Sequence, residues 1–138
     1  SAPPADAVAV INQGRQFFSE ACAACHQTTG EGVAPIYPPL AGSDWVNGST
    51  NRLIPVVLYG LKGPVSVRGS VYSAVAMPAF RKGSAFDWTD EKVAAVLSYI
   101  RQEWGNRGGS VGPDEVRRVR GKFGERGEFT EADLLEIK

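Results

Sequence analysis

Histidine, methionine and cysteine are scarce in this sequence: one histidine, one methionine and two cysteines in 138 residues. A structural zinc site takes four ligands, usually cysteine or histidine, so two carboxylates would have to complete one here. Net charge is lacking too, since 15 basic and 15 acidic residues cancel. That leaves no basic field for nucleic acid or an anionic membrane, and no strong steering toward a highly charged partner. No apolar run approaches the roughly 20 residues of a membrane-spanning helix. Ser1-Ala2-Pro3-Pro4-Ala5 has neither the basic region nor the hydrophobic stretch of a signal peptide. It reads as a processed N-terminus or as a Pro/Ala linker over 1–5. The remaining composition, 43% hydrophobic and 22% charged, is that of a globular chain with one domain and at most an appended tail.

The scarce residues are concentrated. Cys22-Ala23-Ala24-Cys25-His26 is the C-x-x-C-H signature of covalent c-type haem attachment. Two thiols at this spacing each reach one vinyl group of a porphyrin, and the next residue turns its imidazole onto the iron. Small residues at 23 and 24 let the backbone lie against the macrocycle. Competing readings are a disulfide, two buried thiols, half of a zinc site, or a thioredoxin-like redox pair. The last needs a preceding strand in a βαβ setting, whereas a helical pattern precedes Cys22. A c-type iron usually takes a second axial ligand. Met77, in Ala76-Met77-Pro78-Ala79-Phe80, offers the single thioether in the chain. A lone methionine in an apolar run is more often core filler; with haem granted, a His26/Met77 pair is the pattern of electron-carrying cytochromes.

Periodicity places these motifs. Asp6 is a candidate N-cap for a helix over 7–21, with Ile11, Gly14 and Phe18 on one face. Glycine at 14 suits the close approach of another helix. Residues 27–47 have no strong periodicity and read as an irregular loop. Ser49-Thr50 offers caps for a helix ending near Gly60, but an interior Pro55 is awkward, which predicts a late start. Alternation on both sides of Arg68-Gly69 predicts a short β-hairpin that presents the Met77 loop, with Tyr72 near the haem. Trp45 can line the pocket, offer its indole N–H to a propionate, or simply pack in the core. Thr89, Asp90 and Glu91 open the clearest helix, whose buried stripe is Val93, Val96, Leu97 and Ile100.

Taken together, these residues resemble the class I cytochromes c from about residue 10 to residue 104. Gly14, Phe18 and Cys22 repeat the family spacing on the first helix, and Val96 and Tyr99 stand where the last helix meets it. Pro38-Pro39-Leu40 resembles the Pro-x-Leu segment, in which the first proline's carbonyl accepts the proton of the ligand histidine. Pro38 has no N–H and can only accept. Tyr37-Pro38-Pro39-Leu40-Ala41-Gly42, Leu58-Tyr59-Gly60-Leu61 and Ala94-Ala95-Val96-Leu97 look like the longer soluble bacterial cytochromes c. Those of thermophiles donate electrons to haem-copper oxidases and have the hairpin and a C-terminal extension. The resemblance implies a mainly α class I cytochrome c fold wrapped around one covalent haem c. It further implies a cytochrome domain over 6–105 and an extension over 106–138. Arg52 then either pairs with a haem propionate or stands exposed.

The function implied is electron transfer by His/Met-ligated iron cycling between Fe(II) and Fe(III), in a carrier rather than an enzyme. Partners would be a terminal oxidase, dehydrogenase or reductase, with the chain a monomer or a domain of a larger protein. Its place would be the bacterial periplasm or the outer face of the cytoplasmic membrane, with room for a tether upstream. The alternative is a haem enzyme or gas sensor with an open sixth position, but with one histidine no distal His/Arg pair is available. In the tail, Val116, Val119 and Phe123 share a helical face, and Thr130 to Asp133 opens another short helix. Seven large apolar residues between Pro113 and Lys138 cannot form a core alone. The tail is therefore expected to fold back as a structural clasp that takes no part in electron transfer.

Overall fold

The computed structural model describes residues 5–138. Residues 1–4 of the expected linker lie outside the described residues, and Ala5 is instead the first residue of helix α1 (Ala5–Ala21). Asp6 thus sits inside the first turn, where its carboxylate complements the positive end of the helix dipole. After Cys22 a single further turn, α2 (Ala23–His26), carries the second cysteine and the histidine. The following segment is less irregular than its sequence suggested. Val33 and Tyr37 form an antiparallel bridge, and α3 (Asp44–Asn47) is capped by the Ser43 hydroxyl, which accepts from the Val46 N–H at 3.4 Å.

Helix α4 (Thr50–Tyr59) starts early and keeps Pro55 inside it, against the expected late start. Proline there removes only the one N–H that would have met the Asn51 carbonyl. Every residue from Leu53 to Tyr59 is buried, so packing outweighs that lost bond. Strands β1 (Val65–Val67) and β2 (Ser70–Tyr72) form the expected hairpin, with Val65 opposite Tyr72 and Val67 opposite Ser70. Both turn residues lie at positive φ, Arg68 at 52° and Gly69 at 81°, as a twisted two-residue hairpin turn requires. Helix α5 (Asp90–Ile100) begins at the Thr89 cap, whose hydroxyl accepts from the Lys92 N–H at 3.1 Å.

The tail forms α6 (Pro113–Phe123) and α7 (Glu131–Leu135). A capping box closes the start of α7: the Asp133 N–H meets the Thr130 hydroxyl at 3.2 Å, and the Thr130 N–H meets the Asp133 carboxylate at 2.9 Å. Val116, Val119, Phe129, Leu134 and Ile137 join the same core cluster as Phe18, Leu58, Val93 and Leu97. The tail is therefore part of the one core. Its polar ties are specific as well. Arg120 holds the Asp90 carboxylate with two bonds, at 2.7 and 3.1 Å, and the Tyr59 hydroxyl donates to the Gly124 carbonyl at 2.6 Å. The glycine-rich segment before α6 is fixed by Arg101, only 5% exposed. Its guanidinium donates to the carbonyls of Val46, Gly48 and Gly109 at 2.8–3.1 Å, and to that of Gly108.

Helices α1 and α5 make the most extensive helix contact in the molecule. They meet at Gly14, where a Cβ would collide with the Ala95 carbonyl and lie 2.8 Å from the Tyr99 Cβ. Phe18 then stacks against Tyr99 and Trp104 at ring-centroid distances of 5.6 and 5.2 Å. Gly14→Ala would gain about 1 kcal/mol of helix propensity, against an overpacking penalty of about 1–3 kcal/mol or more at a backbone contact. The expected outcome is a net loss of stability, read as a lower urea midpoint; an unchanged midpoint would mean that the helices separate without penalty.

Candidate functional site

The end of α1 leads into one apolar cavity of about 1150 Å³, counted with its open mouth. One wall is the end of α1 and α2, with Ala21, Cys22, Cys25 and His26. The loop Tyr37 to Leu40 closes that side. The segment Val75 to Pro78, which carries Met77, lines the same cavity. Leu53 and Val56 of α4 and Val65, Val67 and Tyr72 of the hairpin complete it. Residues roughly fifty positions apart in sequence thus face one space.

His26 is oriented by a single bond: its Nδ1 lies 2.9 Å from the Pro38 carbonyl oxygen. A carbonyl can only accept, so Nδ1 carries the proton and Nε2 keeps its lone pair. Burial holds the imidazole below its ordinary 6.5, with the Pro38 carbonyl partly opposing. Near pH 7 the ring is therefore neutral, as a metal-binding imidazole must be. Cys22 and Cys25 are free thiols. Burial, then the neighbouring Cys25, pushes the Cys22 thiol up to about 12. A thiol that resists ionisation is a poor nucleophile for thiol–disulfide exchange, which uses the thiolate. Among the described residues no three His, Cys, Asp or Glu side chains gather as a metal cluster.

Met77 is held by its backbone. Its N–H donates to the Leu61 carbonyl at 2.9 Å, and the Leu61 N–H returns a bond to the Met77 carbonyl at 3.2 Å. Gly60 makes this approach feasible, because a Cβ there would lie 2.6 Å from the Met77 carbonyl oxygen. Trp45 lines the cavity and engages its indole N–H with the Ser66 carbonyl at 2.9 Å, so it ties α3 to the hairpin. Tyr72 is in the wall, packed with Val65 and Val67.

Arg52 does not line the cavity. It projects to the tail, donating to the Ile137 carbonyl at 2.7 Å and the Leu135 carbonyl at 3.3 Å. From the tail, Leu134 of α7 also lines the cavity. Sequence reasoning also missed Asn106, which is 7% exposed. Its amide accepts from the Gly42 N–H and Asn47 at 2.9 Å and donates to the Leu40 and Ile100 carbonyls. It thereby fixes the end of the Pro38–Leu40 wall to α5. A lone asparagine in a glycine-rich stretch carries no signal that could have announced this.

Residues 11–104 match the family model described as Cytochrome c. The chain belongs to the cytochrome c family. It is 37% identical over 118 residues to "Cytochrome c-552" of Thermus thermophilus, covering 79% of this chain and 85% of that protein. It is 34% identical to the cytochrome c subunit of the quinone alcohol dehydrogenase of Gluconobacter oxydans, over 79% of this chain but 22% of that subunit. A cbb3-type cytochrome c oxidase subunit CcoP of Azospirillum brasilense is 32% identical over 63% of this chain and 28% of its own length. The fold is thus the class I cytochrome c fold, and the family is one of electron carriers with covalently attached haem c. The donor set of the cavity fits that group: two thiols, one neutral imidazole and one thioether line a single, mostly apolar space.

Gly60 and Gly63 have similar φ (83° and 76°), but nothing lies within 4 Å of a Cβ at Gly63. Gly63→Ala should carry left-handed strain of about 1–2 kcal/mol. Gly60→Ala should lose more, because its ψ of 171° puts it in a region essentially confined to glycine and its Cβ would also overpack against Met77. Urea unfolding of both variants checks this, and equal losses would mean that the Gly60 backbone and the Met77 segment yield freely.

Proposed function

We propose that Cys22 and Cys25 would hold haem c by thioether bonds, that His26 Nε2 and the Met77 sulfur would ligate its iron, and that the protein shuttles single electrons in a bacterial respiratory chain. The observation that carries this reading is the tie from His26 Nδ1 to the Pro38 carbonyl at 2.9 Å, which leaves Nε2 free in a cavity that also takes in both thiols and Met77. When bound, the haem supplies the redox chemistry, its iron alternating between Fe(II) and Fe(III). The chain's own residues do the rest. Pro38 fixes the ring of His26 and raises its basicity as a ligand. A thioether from Met77 favours the reduced state and so raises the reduction potential. Leu40, Leu53, Val56 and Tyr72 keep water from the site, which lowers the polarity around the iron.

Residues 6–105 form the haem-bearing body in this reading, and 106–138 the extension. The partner is a dehydrogenase, reductase or terminal oxidase, consistent with relatives that are subunits of a quinone alcohol dehydrogenase and a cbb3-type oxidase. With acidic and basic residues in balance, the encounter relies on a small apolar surface around the Met77 loop, where Val71 and Val75 are exposed. Such contacts bury little area and separate quickly. The place is the periplasm or the outer face of the cytoplasmic membrane; among the described residues no helix is long and apolar enough to cross a membrane.

Denaturation followed by acid–organic extraction should leave haem on the polypeptide, since thioether bonds survive unfolding. Alanine at Cys22 or Cys25 should leave one bond, and at both should release the haem; release from the unmodified chain would overturn the attachment. The ferric protein should show the near-infrared charge-transfer band of methionine-ligated haem, and the ferrous protein should resist carbon monoxide. Met77→Ala should abolish the band, admit carbon monoxide and lower the reduction potential. Rapid carbon monoxide binding by the unmodified protein would instead indicate an open sixth position and the sensor or enzyme alternative.

A further inference from the structure

The tail reaches Met77 through one short segment. Residues 60–62 lie between the Met77 segment and the tail, and both of their edges are engaged. On one edge Leu61 exchanges two backbone bonds with Met77, at 2.9 and 3.2 Å. On the other, the Phe129 N–H donates to the Gly60 carbonyl at 3.0 Å, and the Lys62 N–H donates to the Phe129 carbonyl at 2.9 Å. Leu61 thus bridges Met77 antiparallel and Phe129 parallel. Backbone groups alternate edges along a strand, so the tail occupies the whole edge that Met77 does not.

Two further contacts make the tail more than a cover. Phe129 is 1% exposed and wedged between Tyr59 and Phe123, at centroid distances of 5.5 and 5.1 Å. Four residues into the next turn, Leu134 is fully buried and lines the same cavity as Met77. Helix α7, which carries it, is fixed at both ends. The capping box holds its start, and Arg52 of α4 holds the carbonyls of Leu135 and Ile137 at its finish. Helix α4 also supplies Leu53 and Val56 to the cavity wall. Without the tail, the Gly60 carbonyl and Lys62 N–H would face water as a free edge, and the wall of the cavity that Met77 also lines would open. Segments with such exposed backbone bonds open locally at low free energy.

We propose that the C-terminal segment is a positioning element for Met77. Phe129 braces the Gly60–Lys62 segment, Leu134 completes the wall of the cavity that Met77 also lines, and Arg52 locks α7 in place. The proposal rests on Met77 being the sixth ligand. It differs from a structural clasp in what it protects: the closed state of the iron's sixth position as well as the fold.

The test compares the haem-loaded, full-length protein with Leu134→Ala, Leu134→Ile and Val116→Ala. Val116 is buried in α6 but is not part of the cavity wall. Ferric near-infrared spectra, reduction potential and the rate of carbon monoxide binding to ferrous protein are recorded well below each melting temperature. Leu134→Ala should weaken the charge-transfer band, lower the potential and speed carbon monoxide binding by about tenfold, as the open fraction rises. Leu134→Ile should largely restore all three. Val116→Ala should melt earlier yet keep the unmodified spectrum, potential and rate. If Leu134→Ala fails to fold, Arg52→Gln releases α7 without leaving a cavity and is read in the same way. Leu134→Ala that melts earlier with an unmodified band and rate would overturn the proposal in favour of a pure clasp, as would equal effects from Val116→Ala. Absence of the band from the unmodified protein would overturn the Met77 ligation, and the proposal with it.

Discussion

The close crossing of α1 and α5 at Gly14 is the contact on which the rest of the structure depends. Backbone approaches the Ala95 carbonyl so tightly that no Cβ fits. That depth of approach seats Phe18 between Tyr99 and Trp104 and fixes where α1 ends. Since α1 ends one residue before Cys22, the crossing also sets the position of both thiols and of His26. Trp104 extends the effect into the loop, covering Gly30 and donating its indole N–H to the Thr28 carbonyl at 2.9 Å.

The cavity walls are then joined by backbone bonds rather than by ion pairs. His26 to Pro38, Trp45 to Ser66, Met77 to Leu61 and Asn106 to Leu40 are all bonds to main-chain carbonyls or between main-chain groups. Such bonds have fixed geometry and need no charge within an apolar space, where an unpaired charge would be expensive. Ion pairs lie at the periphery: Arg120 with Asp90 and Arg126 with Asp133 on the tail and its junction, Arg15 with Glu103, and Arg68 with Glu31. The cavity lining itself is mostly apolar.

Much of this was legible locally. Cys22, Cys25 and His26 announce their chemistry by spacing alone. Thr89 and Thr130 announce helix starts, because capping is a matter of three or four adjacent residues. Arg68-Gly69 announces a hairpin, because the turn demands positive φ and the flanks alternate. The positions misjudged or left open are those where a local rule met a distant partner. Pro55 argued for a late helix start, yet the buried face of α4 overrode the one lost bond. For Arg52, left between a propionate partner and exposure, the structure shows bonds to carbonyls at the end of the chain, which no local pattern announces.

The sequence by itself determined the attachment motif, the candidate axial residues, the order of the main helices and the apolar face of the tail. Each of these depends on neighbours within one or two turns, where geometry follows from residue type. Only the tertiary structure decided that Met77 and Phe129 flank the same short segment, that Leu134 joins the cavity wall, and that Arg101 and Asn106 tie the glycine-rich segment to the loops beside it. Those contacts join residues tens of positions apart, and no periodicity links them. They follow from where the packed helices leave unpaired carbonyls and uncovered apolar surface, which is settled only once the whole chain has folded.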